Sequence, residues 1–138
     1  MAVEIVPFEP QHLRSYEPGE MDLQALEGVD LEKAAFDWWD AALSVMDGDA
    51  VLAITGVSEI EGRPVGWFLG SDEIRRRPVT LHRGMRHGLD WLREHLGLDS
   101  LDVEVLFDND TSARWLRRLG FVQAGMINGN LRLRKRWQ

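Results

Sequence analysis

The sequence predicts one α+β domain over residues 1–138: a mixed, twisted sheet of six or seven strands with helices on both faces. Two observations carry this. Segments that alternate with strand periodicity and segments that repeat with helical periodicity follow the order strand, two helices, strand hairpin, strand, long helix, strand, short helix, hairpin. Turn chemistry separates them at Glu17-Pro18-Gly19, Asp47-Gly48, Glu61-Gly62, Gly97 and Asn128-Gly129.

Val3 and Ile5 alternate with polar neighbours, so residues 3–7 read as a strand. Pro10 suits the first turn of a short helix over 10–14. Glu20 to Leu26 reads as a helical segment stopped near Gly28, and Asp30 caps a second one through Lys33 to about Trp38. Residues 38–58 admit two readings. The apolar run WWDAALSVM continues the helix, or Trp39, Ala41, Leu43 and Val45 form a strand, Asp47-Gly48 turns, and Val51, Ala53, Thr55 and Val57 return.

Arg63 to Leu69 is the next strand. Pro78 opens the longest helix, to about Leu96, with Leu81, Met85, Leu89 and Leu92 as its apolar stripe. Gly84 and Gly88 lie on one face of it, each costing ~1 kcal/mol relative to Ala, and permit close approach of a strand or ligand. Gly97 ends the helix. Leu101, Val103, Val105 and Phe107 alternate with Asp102 and Glu104 as a strand. Asp110 is placed to cap a helix from Thr111, on which Ala113, Leu116 and Leu119 share a face, and Gly120 supplies its left-handed stop. Phe121–Ile127 and Asn130–Trp137 form a closing hairpin, with Leu131 and Leu133 alternating against Arg132, Arg134 and Arg136.

Composition narrows the function classes. Hydrophobic content of 44% and charged content of 28% are ordinary for a globular protein. No apolar run approaches the ~20 residues of a membrane span, so no membrane partner is expected. The start, MAVEIVPFEP, lacks the basic end and apolar core of a signal peptide. Without cysteine there is no disulfide, thiolate nucleophile or Cys-ligated metal. His12, His82, His87 and His95 have no ligand spacing, so no metal is expected. Trp67, Trp91 and Trp115 read as core or cleft aromatics.

The net charge of -7 divides unevenly. Residues 1–73 carry 3 basic and 16 acidic side chains, or -13; residues 74–138 carry 13 basic and 7 acidic, or +6. Either the halves interleave and neutralise each other, or they present faces of opposite potential that steer an anionic cofactor or stack copies head to tail. Nucleic acid is not expected, because the alternating arginines of the last strand have no interleaved aromatics and the chain is acidic overall.

Two stretches carry a family resemblance. Asn109, Ser112, Trp115, Leu119, Gly120 and Phe121 resemble the last conserved block of the GNAT N-acetyltransferase superfamily, in which an Asn at a strand end precedes a short helix closing in Leu-Gly-Phe. Gly66-Trp67-Phe68-Leu69-Gly70-Ser71-Asp72-Glu73 resembles a narrower group, the GNAT-like internal virion proteins of short-tailed phages. The resemblance spans roughly residues 62–123 and favours the hairpin over 38–58. It implies acetyl-CoA in a splay between the strands at 63–69 and 101–107, adjacent and parallel. The backbone of Trp67, Phe68, Leu69 and Gly70 would lie along the pantetheine, and Asn109 would bond it. A glycine-rich loop would hold the pyrophosphate on N–H groups at the start of the long helix.

The family pattern is incomplete. The loop from Gly70 to Pro78 lacks the paired glycines, Asp72 and Glu73 repel phosphate, and Pro78 removes one N–H. Arg75, Arg76 and Arg77 either substitute as side-chain phosphate ligands or form a solvated helix entry or a contact to the acidic half. The family's frequent Tyr acid, seven residues after the Asn, is Leu116 here, and the chain's single tyrosine is Tyr16. Glu73 and Glu104 are the carboxylates placed to act as a base, and read first as exposed loop and strand residues. The expectation is therefore a GNAT-fold phage protein of structural or morphogenetic role, in the virion interior or host cytoplasm, whose partners are other virion proteins or copies of itself and whose acyl-CoA site is degenerate. The alternative is an active acetyl-CoA-dependent N-acetyltransferase acting on an unidentified amine.

Overall fold

The computed structural model describes residues 3–20, 42–105, 110–127 and 129–137. Val3–Pro7 forms β1 and Pro10–Ser15 the short helix α1. Ala42–Asp47 (β2), Ala50–Ile60 (β3) and Arg63–Gly70 (β4) follow. A helical turn at Asp72–Arg75 (α2) leads into the long helix Pro78–Leu96 (α3). Ser100–Val105 (β5), Asp110–Arg118 (α4), Val122–Ile127 (β6) and Asn130–Arg136 (β7) complete the order.

The strands form one seven-stranded sheet in the order β1-β2-β3-β4-β5-β7-β6. β1 to β4 are an antiparallel meander. α3 carries the chain over to β5, which lies parallel to β4, and β7 inserts antiparallel between β5 and β6. The hairpin reading of 38–58 holds from Ala42 onward, with Gly48 at φ 60 in its turn. Trp39, Ala41 and the helices expected beyond Glu20 lie outside the described residues. Ala42, Leu43, Ser44 and Val45 are all buried, so β2 is covered on both faces. Such a strand shows a near-continuous apolar run, which is why it also reads as helix.

Helices pack on both faces. On one, Met85, Leu89 and Leu92 of α3, Ala113 and Leu116 of α4 and Leu119 just after it meet Leu43, Val57, Leu101, Val105 and Leu133 of the sheet. On the other, Leu13 of α1 joins Phe8, Tyr16, Ile54 and Leu69. Each Leu, Val, Ile, Phe or Met among them contributes ~1.5–3 kcal/mol through burial. The bare face at Gly84 and Gly88 does admit strands closely: a Cβ there would stand 3.7 Å from Ile5 Cδ1 and 3.5 Å from Leu43 Cδ1.

The limits of α3 follow from its end residues. Pro78 occupies the first turn, where a missing N–H costs nothing, and Gly97, left-handed at φ 64, donates its N–H to the Arg93 carbonyl. Asp110 already lies within α4, so it is a helical residue and not the cap. Gly120 follows at φ 100. The expected extension of β5 to Phe107 lies outside the described residues.

Candidate functional site

β4 and β5 share only a short seam among the described residues. Val65 pairs with Asp102 and Gly66 with Val103; from Trp67 to Gly70, β4 stays registered with β3 alone. Among the described residues, β4 therefore runs on past the seam without β5 beside it. Gly66 makes the close seam possible, since a Cβ there would meet Leu101 Cδ2 and Val103 Cγ2 at 3.2 Å.

Strand alternation sends the candidate residues to opposite sides. Trp67 and Leu69 face the α1 layer, where the Trp67 indole donates to Ser58 Oγ at 3.1 Å. Phe68 faces α3 and α4. Its ring meets Trp115 edge to face with centroids 5.4 Å apart, and the Arg75 guanidinium lies 5.8 Å from its centre. Gly70 lets that ring pack back on the strand, because a Cβ at 70 would fall 2.5 Å from Phe68 Cε1. Beneath Phe68 and Trp115, beside Leu116 and Met85, an apolar cavity of about 40 Å³ remains. That volume holds a water or two and no acyl arm. The Trp115 indole N–H is buried without a hydrogen-bond acceptor among the described residues.

The segment after β4 is not an open loop. Ser71 caps α2: its Oγ accepts from the Ile74 N–H at 3.3 Å and donates to the Leu52 carbonyl at 2.7 Å. The Ser71 N–H donates to the same carbonyl at 3.0 Å. That carbonyl is available because β3 bulges there: Val45 pairs with Ala53 and Met46 with Val51, leaving Leu52 out of the ladder. Asp72 accepts the Glu20 N–H at 3.1 Å. Ser71 followed by Asp72 and Glu73 is a helix-start signature that marks α2 in the sequence.

Carboxylates hold Arg76 and Arg77. Glu73 pairs with Arg76 at 3.2 Å and with Arg77 at 2.8 Å, and Arg77 also reaches Asp47 at 3.1 Å. The Arg77 hydrogen bond, above all, lowers the Glu73 pKa below the ordinary carboxylate range, and the same bond raises that of Arg77. A carboxylate so stabilised as an anion suits a structural role better than that of a general base. Glu104 accepts from Asn130 Nδ2 at 2.8 Å. Asp102, next to the seam, is buried and held by Arg134, whose hydrogen bonds lower its pKa against the opposing effect of burial.

The residues around the cleft fit acetyl-CoA in one respect and not in others. Beyond the seam β4 parts from β5 among the described residues, as a pantetheine arm between the two would require. At the pyrophosphate position α2 replaces a glycine nest, Asp72 and Glu73 add negative charge, and α3 starts with Pro78 after an Arg77 whose side chain makes no cap. Leu116, buried, stands where the family acid would be, while Tyr16 is buried on the opposite face beside a bridge to Val51. Asn109 lies outside the described residues. The structure thus brings Phe68, Gly70 and Arg75 together at one mouth and sends Trp67 and Leu69 to the other face. Ser71, Asp47 and the bulge at Leu52, which organise the mouth, were not among the candidates.

This architecture is the GNAT N-acetyltransferase fold. Ard1 from Thermoplasma volcanium superposes with a TM-score of 0.76 at 22% identity, covering 99% of this chain and 98% of its own. The PaiA N-acetyltransferase from Thermoplasma acidophilum, solved in complex with coenzyme A, gives 0.77 at 12% identity over 99% and 100%. The GNAT domain of S. lividans PAT gives 0.76 at 16% identity over 98% and 89%. At these identities the likeness is one of fold. No family model and no curated protein matches the sequence.

Proposed function

We propose that this chain keeps the GNAT scaffold without acetyl transfer and serves as a structural or morphogenetic protein of a bacteriophage particle, in its interior. The observation that supports the loss of chemistry is the segment after β4. There Ser71 bonds to Leu52 of β3 and caps a helical turn, and Arg77 ties Glu73 to Asp47 of β2, where the family has a glycine loop for a pyrophosphate. The virion setting is supported by the resemblance of Gly66 to Glu73 to internal virion proteins. The partners are other virion proteins or further copies, drawn together by the -13 and +6 halves.

Calorimetric titration with acetyl-CoA and with CoA tests the first part. A dissociation constant of ~0.1 mM or weaker is expected, since several charge-assisted bonds to the pyrophosphate are missing. Micromolar binding would overturn it. Sedimentation at low and high salt tests self-association, which should weaken as exposed charges are screened. A monomer under both conditions would leave only a heterologous partner.

The second reading is an active N-acetyltransferase of an unidentified amine. It is favoured by the names of the structural neighbours, one of them a coenzyme A complex, and by the parting of β4 from β5 beyond their short seam. Under it the cofactor contacts are the backbone from Trp67 to Gly70, the side chains of Arg75, Arg76 and Arg77, and Asn109.

A further inference from the structure

A depression of about 380 Å³ lies between α3, the end of α4 and β7. His82 and Arg86 enter it from successive turns of α3, Arg118 from the last turn of α4, and Lys135 from β7; Trp137 forms a wall. Among the described residues of the lining Asp90 is the lone carboxylate, so there three fixed cations face one anion, a formal +2. Among the described residues, no carboxylate lies within ion-pair distance of Arg86, Arg118 or Lys135.

Lys135 is held in place. Its Nζ donates to the Leu119 carbonyl at 2.6 Å, at the negative end of α4. Gly120, at φ 100, leaves the space for it, since a Cβ there would stand 2.6 Å from Nζ. An ammonium has three N–H groups, so two remain after that bond. The Trp137 ring lies 5.8 Å from the same ammonium and keeps the site one-sided. Like charges from three elements repel unless an anion joins them, and the volume falls in the range of small-molecule pockets.

We infer that this pocket binds a phosphorylated small molecule, with the phosphate dianion held by Arg86, Arg118 and Lys135. Phosphate fits better than a carboxylate because its three terminal oxygens can each take a cationic donor. Leu89 and Leu119 line both this pocket and the cavity beneath Phe68. The occupant therefore sits one side-chain layer from the cleft, and its binding does not depend on whether the cleft takes acetyl-CoA.

Amide-resolved NMR titration with inorganic phosphate, at ionic strength held constant with chloride, tests this on the full chain. Saturable shifts are expected at the amides of Arg86, Arg118, Gly120 and Lys135. Affinity should fall at least ~10-fold in the double variant Arg86→Gln, Arg118→Gln. Both side chains are exposed, so the variant should keep a dispersed spectrum. Lys135→Met should weaken binding in the same direction. Arg83→Gln, exposed on α3 outside the lining, should leave it unchanged. Absence of saturable shifts at those amides, or equal affinity in the double variant, overturns the inference.

Discussion

Replacing Asp102 with Asn should destabilise the protein at neutral pH and leave it nearly as stable as the wild type in acid. The Asp102 carboxylate receives Arg134 Nε at 2.5 Å on one oxygen and Nη2 at 3.0 Å on the other. Its side chain is 8% exposed and that of Arg134 23%, so water replaces little of what is lost. Asn keeps one acceptor oxygen and turns an NH₂ toward the guanidinium. One charge-assisted bond is lost and the other weakened, which amounts to about 2–3 kcal/mol. The sign with pH follows from the lowered pKa of Asp102, whose main cause is the Arg134 hydrogen bond. A carboxylate whose folded pKa lies below its unfolded value of 3.8 contributes its stability above that value and loses it as pH falls through the folded one. Below that point the protonated acid and the amide are near equivalents. Urea unfolding of both proteins, in steps from about pH 7 to about pH 2, should show the gap in free energy closing in acid. A gap that stays constant with pH, or one under ~0.5 kcal/mol at neutrality, would refute the ion pair as its source.

Ser71→Ala removes the α2 cap and the second bond to Leu52; it should cost about 1 kcal/mol and lower Tm by ~3–6 °C in a thermal scan. Glu73→Gln removes a carboxylate from the phosphate approach and loosens Arg76 and Arg77, so CoA affinity by calorimetry should rise ~10-fold, and an unchanged affinity would show that these arginines do not face the cofactor. Gly70→Ala should displace the Phe68 ring and destabilise by ~1–3 kcal/mol in chemical denaturation.

Much of the fold was legible because its signals are local. Pro78 and Gly97 mark the ends of α3 by their own backbone chemistry, and Gly120 does the same for α4. Alternation located β5 but gave no sign that Asp102, one of its polar positions, is buried. Its partner Arg134 lies on β7, and that register is visible only once the sheet exists. The mouth of the cleft was less legible for the same reason. Glu73 and Arg77 are four apart on a helical turn and their pairing is a local signal, but Asp47 joins them from the β2–β3 hairpin. The bulge that frees the Leu52 carbonyl depends on how β2 and β3 slip, and nothing in residues 45–52 announces it.

The short seam at Val65–Asp102 and Gly66–Val103 has a consequence for the order of folding. Each side of it is a ladder of antiparallel pairs, β1 to β4 before it with the hairpins β2–β3 and β3–β4, and β5 to β7 after it with the hairpin β6–β7. Hairpins close early; a parallel junction that spans a helix closes late, because loop entropy must be met first. The charge division falls almost on that junction, with the acidic residues in the first ladder's stretch and the basic ones in the second. Opposite charge then draws the two ladders toward each other before any side chain interlocks, and native-state hydrogen exchange should find two cooperative units whose rejoining slows as salt rises.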